Sequence, residues 1–366
     1  MNDNEINDIR GEPEFKGITF SKYKKPDVRK ELLNCLKNGK IEPACYWTAE
    51  LVCAGHYQEL WDIIITFVSK HIHLANPKLC LYLEMRYEVF KGIVSNGYIG
   101  NELRMRNNPR IRSLFAEIMC VICNSKKKYS LEGIKVKKTD FDSTAMTDKL
   151  KAPNVSYASA AFLSGDPKEL FIAINEFAFH ISKDSKNSLL ASYWLEWIME
   201  FEHICKMKKQ KCMGERRSTM PVESKFQMDP IWIVWELILE QTKSQHAQTQ
   251  AHALDPLIPK IMQSLLKLYC LRYTDGVKKK RRYLIYFAIC LLTEPVVMTQ
   301  EMVTNKDTIE TVVKKIDTVY KQVKKNEIAP KMDYLTGSSG GAKSDLDKTI
   351  EKMEKLNSMN TIIRTV

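Results

Sequence analysis

Long apolar runs are missing from this 366-residue chain: the longest, YLIYFAICLL from Tyr283 to Leu292, is half of the roughly 20 residues a membrane-spanning helix needs. No transmembrane segment is expected. The acidic start MNDNEINDIRGEPE lacks the basic and apolar regions of a signal peptide, Asn2 rather than glycine follows the first Met, and the end IIRTV offers no prenylation cysteine. These absences predict a soluble protein made in the cytosol, or one held in an assembly by protein contacts. Catalytic signatures are missing too. No G-x-G-x-x-G, G-x-S-x-G, H-E-x-x-H or EF-hand loop occurs, so no enzymatic activity and no cofactor is expected. Strand patterns are few: GIKVKKTDF at 133–141 alternates briefly and GITF at 17–20 is short, each suited to a hairpin or an extended arm.

Helix signals fill the rest. Proline fits the first helical position because its missing N–H would have no partner there, and a preceding Asn or Asp can cap the next donors. The chain repeats this start at Asn76-Pro77, Asn108-Pro109, Asp166-Pro167, Asp229-Pro230 and Asp255-Pro256, with a weaker version at Glu42-Pro43. Glu169 would complete a capping box with Asp166. Gly39, Gly55 and Asn96-Gly97 mark stops. Helices are thus predicted over 27–38, 43–54, 57–73, 77–95, 109–124, 167–182, 188–208, 230–243, 256–273, 280–292 and 306–326. Their faces are broad and aromatic: Trp194, Trp197, Ile198, Phe201 and Cys205 fall three and four apart, and 230–243 is apolar around most of its circumference. The fold class predicted is mainly α, a multi-helix bundle with an aromatic-rich core, an extended N-terminal arm and a flexible C-terminal tail. The division predicted is an arm at 1–25, a helical domain at 26–150, a second at 151–330, either separate from or continuous with the first, and a tail at 331–366 ending in a short amphipathic helix near 346–357. The arm, the polar loop SQHAQTQAH at 244–252 and the tail should be mobile in the free protein and suited to strapping onto neighbours.

The ten cysteines sit mostly inside apolar runs, as reduced core thiols do. Zinc needs four converging ligands, usually as two close pairs. Cys120–Cys123 is the one C-x-x-C and has no second pair behind it, while His203, Cys205 and Cys212 lie among lysines that oppose a cation. His71 and His73, two apart, cannot serve one metal without a break in their helix. Cys53 and His56 straddle Gly55 without the flanking residues of a nucleophile. GSSGGAKS at 337–344 imitates a phosphate-binding loop, but Ala342 replaces its last glycine and no strand precedes it. No metal is therefore expected.

Net charge is +12 and clustered: KKK at 126–128, KVKK at 135–138, KMKKQK at 206–211 and KKKRR at 278–282. Such runs can fill solvated loops, or can neutralise phosphates or an acidic partner. The candidate contacts are Lys126, Lys127, Lys128, Lys208, Lys209, Arg216, Arg217, Lys278, Lys279, Lys280, Arg281 and Arg282.

Two resemblances follow. EPACYWTAELVCAGHYQELWDIIITFVSKHIHLANPKL looks like the helical collar of clamp-loader-type AAA proteins, implying a packing module that oligomerises, without the ATPase module. More of the chain, through CYWTAELVCAGH, SKHIHLANPKL, LKAPNVSYASAAFLSGDPKELFIAINEFAFHI and YWLEWIMEFEHICKMKK, is similar to virion-associated minor capsid proteins of nucleocytoplasmic large DNA viruses. That resemblance spans roughly residues 40–240 and implies a structural protein made in the host cytoplasm. It would cement capsomers from beneath the outer shell of the virion, as part of a large assembly. Its partners would be the major capsid protein and neighbouring minor capsid proteins, with the basic loops meeting these, the inner membrane surface or packaged nucleic acid. The alternative is a basic nucleic-acid-binding accessory protein in viral replication or genome packaging.

Overall fold

Apolar residues recurring at three and four positions bury best on helices, and a computed structural model, which describes residues 4–246 and 255–328, has thirteen of them among those residues. The first half holds α1 (Lys25–Lys37), α2 (Ile41–Cys53), α3 (Tyr57–Phe67), α4 (Leu79–Ser95), α5 (Pro109–Asn124) and α6 (Ser143–Thr147). The second holds α7 (Phe171–Ile181), α8 (Ser188–Met207), α9 (Ile231–His246), α10 (Ile258–Cys270), α11 (Asp275–Lys280), α12 (Arg282–Thr293) and α13 (Lys306–Lys324). The protein is mainly α. Among the described residues there is no strand, only an isolated bridge between Ile18 and Lys24. The alternating stretch 133–141 has no edge to pair with. Its Ile134 N–H instead donates to the Tyr286 hydroxyl (3.2 Å), and the Asp140 carbonyl accepts from the Trp197 indole (3.0 Å).

Several caps form as read. Asn108 accepts from the N–H groups of Arg110 and Ile111, Asp229 from Ile231, and Asp255 from Leu257. Asp166 departs: its carboxylate takes the N–H groups of Leu163 and Glu215 and the guanidinium of Arg217. The capping box with Glu169 is therefore not made, and after a short 3-10 turn the helix starts at Phe171. Gly39 and Gly55 close α1 and α2 with φ of 66° and 76°, the left-handed region glycine enters freely.

The helix read as 57–73 breaks. α3 ends at Phe67, one π-turn covers Val68–Ile72, and His73 takes φ 30°. Tertiary pairing explains the break: the N–H groups of Lys128 and Leu131 reach the carbonyls of His71 and Lys70, both at 2.9 Å, and the His73 Nε2 donates to the Tyr129 carbonyl at 2.7 Å.

One contiguous apolar core runs from Ile6 to Val323, passing through the boundary drawn at residue 150. Trp194, Trp232 and Trp235 are its largest fully buried side chains. α7 pairs with α8, and α13 crosses back to pack on α5 and α2. The described part of the N-terminal arm is extended but not free. Ile6, Phe15 and Phe20 enter the core, and the Arg10 guanidinium sits 4.9 and 4.8 Å from the Phe15 and Phe20 rings while pairing with Asp8 at 2.6 Å. This arm straps onto its own body rather than waiting for a neighbour. The 331–366 tail with its predicted helix, the 337–344 loop and most of the polar loop after His246 lie outside the described residues.

Candidate functional site

Burial decides which candidate groups are free to act. Nine of the ten cysteines are buried, Cys212 is half-buried, and none forms a disulfide. Burial pushes the Cys120 thiol up to about 11 and those of Cys123, Cys212 and Cys270 up to about 12, so they stay protonated and poorly nucleophilic near neutrality. Cys205 and Cys212 lie within hydrogen-bonding reach of one another, with His203 exposed nearby. Among the described residues no group of three or more His, Cys, Asp and Glu is placed to hold a metal ion.

The basic candidates divide sharply, and three need correction. Arg217 is buried against Asp166, with Glu236 at 3.0 Å and the Ala161 carbonyl at 2.9 Å. Lys278 is buried between Glu202 and Asp229, the latter at 2.6 Å. Arg281 is buried on Asp62 at 2.9 Å and on the carbonyls of Tyr269 and Leu271. These are interior counter-charges, out of reach of any partner. Helical geometry gives the reason: positions three and four apart share a face, so 278, 281 and 282 turn inward while Lys279 and Lys280 stay exposed. Arg282 is half-buried, 3.4 Å from Glu196. Lys127 bends back to the Cys123 carbonyl at 2.6 Å, finishing α5, while Lys126 and Lys128 are exposed, Lys128 lying 3.6 Å from Glu294. Lys208, Lys209 and Arg216 are exposed.

Two of the four runs converge. The end of α8 meets α11 through the Lys206–Asp275 and Lys278–Glu202 pairs. Beside this junction lies a cleft of ≈ 350 Å³ walled by Lys206, Lys211, Lys225, Phe226, Met213 and Met228. Glu202 and Asp229 also line it, and the Tyr273 hydroxyl donates to Asp229 at 2.7 Å. Burial opposes the Lys278 charge, but Asp229 and Glu202 outweigh it and hold the ammonium above its ordinary range. Glu202 is raised, first by burial and then by the charge of Asp229. The arrangement is an anchored scaffold: one buried ammonium ties α8, α9 and α11 together and fixes the exposed lysines around the cleft.

Sequence reasoning missed Glu202, Asp275 and the cleft's Phe226, Met213 and Met228. The sequence shows Asp229 only as a helix start, since nothing in its spacing announces a lysine 49 residues away. No family model, no curated protein and no solved structure matches the chain.

Proposed function

We propose that the protein is a non-enzymatic structural component of a large DNA virus, binding neighbouring capsid proteins beneath the outer shell through the lysine-rimmed cleft between α8 and α11. The observation that carries the binding role is the placing of exposed Lys206, Lys211 and Lys225 along that cleft, beside the junction where the 206–211 and 278–280 runs meet. Exposed Met207, Met213 and Met228 add adaptable apolar contact beside the ammonium groups. Clustered cations with methionines suit an acidic protein surface, steering association and then packing against it. The virion setting and the major and minor capsid partners come from the resemblance of residues 40–240. Detergent-stripped virions test it: the protein should stay with the capsid in near-stoichiometric amount, and its absence from that fraction refutes the assignment.

Exposed lysines of the same two runs outside the cleft support a second reading, a nucleic-acid-binding accessory protein. The variant to use is Lys208, Lys209, Lys279 and Lys280 together to alanine, because replacing all of 278–282 would also remove the buried Lys278 and Arg281. If the wild-type chain binds duplex DNA with steep salt dependence, and the variant lowers the log–log salt slope by about 0.9 for each phosphate no longer neutralised, the accessory role replaces the capsid one.

A further inference from the structure

The end of α7 and the turn that leads to α8 hold a serine, a histidine and a glutamate in line. Glu176 and His180 lie four apart on α7 and share one face, and Ser185 follows on the turn. The Ser185 Oγ is 2.8 Å from His180 Nδ1, and His180 Nε2 is 3.5 Å from the Glu176 Oε2. Glu176 and His180 are buried, whereas Ser185 is half-buried between exposed Asp184 and Lys186. Lys186 takes φ 47°, a left-handed conformation uncommon for a lysine, just past the serine.

The charge of Glu176 decides which ring nitrogen carries the proton. Burial opposes that charge, but His180 and the backbone N–H groups of Lys151 and Ala152, at 2.9 and 3.0 Å, hold the carboxyl below its usual range. An ionised carboxylate facing Nε2 keeps the proton there and leaves Nδ1 to accept from the Ser185 hydroxyl, so the serine has a base and the base has an orienting group. The N–H groups beside the serine are already spent: those of Ser185 and Lys186 go to the Ser182 carbonyl, and that of Asn187 to the His180 carbonyl. Attack on an amide, which depends on such donors to hold the oxyanion, is therefore unsupported, whereas a thioester is activated by its own leaving group. We propose that Ser185 is a covalent modification site that takes the acyl group of a small acyl thioester, with His180 as the base and Glu176 as a positioning residue. The bond from the Ser185 Oγ to the acyl carbon forms and the carbon–sulfur bond breaks. The hydroxyl proton passes to His180 Nδ1 and then to the departing thiolate. A single ester on a turn serine is a modification and not turnover, so the proposal goes beyond the capsid reading without depending on it.

The full chain incubated with S-acetyl-N-acetylcysteamine at neutral pH tests it. Neutral hydroxylamine then strips acetyl groups from cysteines and spares oxygen esters, and peptide mass mapping reads the acetyl group at each serine. Ser185 should be acetylated about a hundredfold faster than other exposed serines, the usual worth of a positioned base, and should lose that advantage in the urea-unfolded chain. His180→Gln should remove most of the advantage. Glu176→Gln should lower the rate as well, and Glu176→Asp should restore part of it, a rescue that a purely structural carboxylate would not give. A serine that only closes the turn would react no faster than the others, and that result overturns the proposal. An equal Ser185 rate in urea, or in a folded His180→Gln chain, overturns it too; where the variants do not fold, the native and urea-unfolded wild-type chains decide.

Discussion

Lys278 and Lys279 are adjacent in a run of five cations, and the fold gives them opposite work. Lys278→Ala would leave Glu202 and Asp229 facing each other without their shared ammonium, so we expect a loss of about 3–5 kcal/mol in urea unfolding. Lys279→Ala, fully on the surface, should stay within about 0.5 kcal/mol. Histidines set the acid behaviour. Burial holds His56 and His73 below their ordinary value and takes His71 to about 4. Unfolded histidines take up protons below about pH 6.5 and these folded ones resist, so stability should fall as pH drops from about 6.5 toward 4. Carboxylates add to this lower down. Burial pushes Asp8 and Asp166 up, but their Arg10 and Arg217 partners, with backbone donors, hold both below the usual range. Their contribution is present above about pH 4 and disappears as pH falls further. Urea midpoints measured across this range check both phases; a midpoint flat from pH 6.5 to 4.5 would contradict the histidine phase.

At the scale of elements, local chemistry predicts well where it acts alone. Asn108→Ala should cost α5 about 1 kcal/mol by denaturant unfolding, because its Oδ1 caps two N–H groups while its Nδ2 is occupied separately, donating to the Tyr98 hydroxyl at 3.2 Å. Asp166 opens the equivalent Asp-Pro start, yet its carboxylate goes to Arg217. Hence helix positions were legible in the sequence from period, proline and glycine, whereas the break at Val68–His73 was not. That break depends on strand-like pairing with residues 128–131, a contact between distant parts of the chain. The basic surface was half legible for a related reason: composition shows where lysines are, and only packing shows that Lys278, Arg281 and Arg217 found carboxylates inside.

Across the whole molecule, the described chain is tied at both ends of its length. α13 covers α5 and α2, with Arg112 on Asp317 at 2.9 Å and 4.2 Å from the Tyr320 ring. A chain ended after Asn305 should bind a hydrophobic dye and unfold well before the full chain, measured by urea titration; an unchanged midpoint would show α13 to be a passenger. Beyond it, the Ile328 N–H donates to Asp8, 320 positions away, and the Ile9 N–H to the Ile328 carbonyl. Closing so long a loop costs little more entropy than closing a shorter one, because the penalty grows only with the logarithm of length. Time is what the clasp demands. At about 5–20 residues per second a ribosome takes on the order of tens of seconds to supply the second half of the fastening, so the nascent chain carries an uncovered α2–α5 face throughout its synthesis. What the topology imposes is a delay: the face that α13 covers stays open until the last of the described helices has been made.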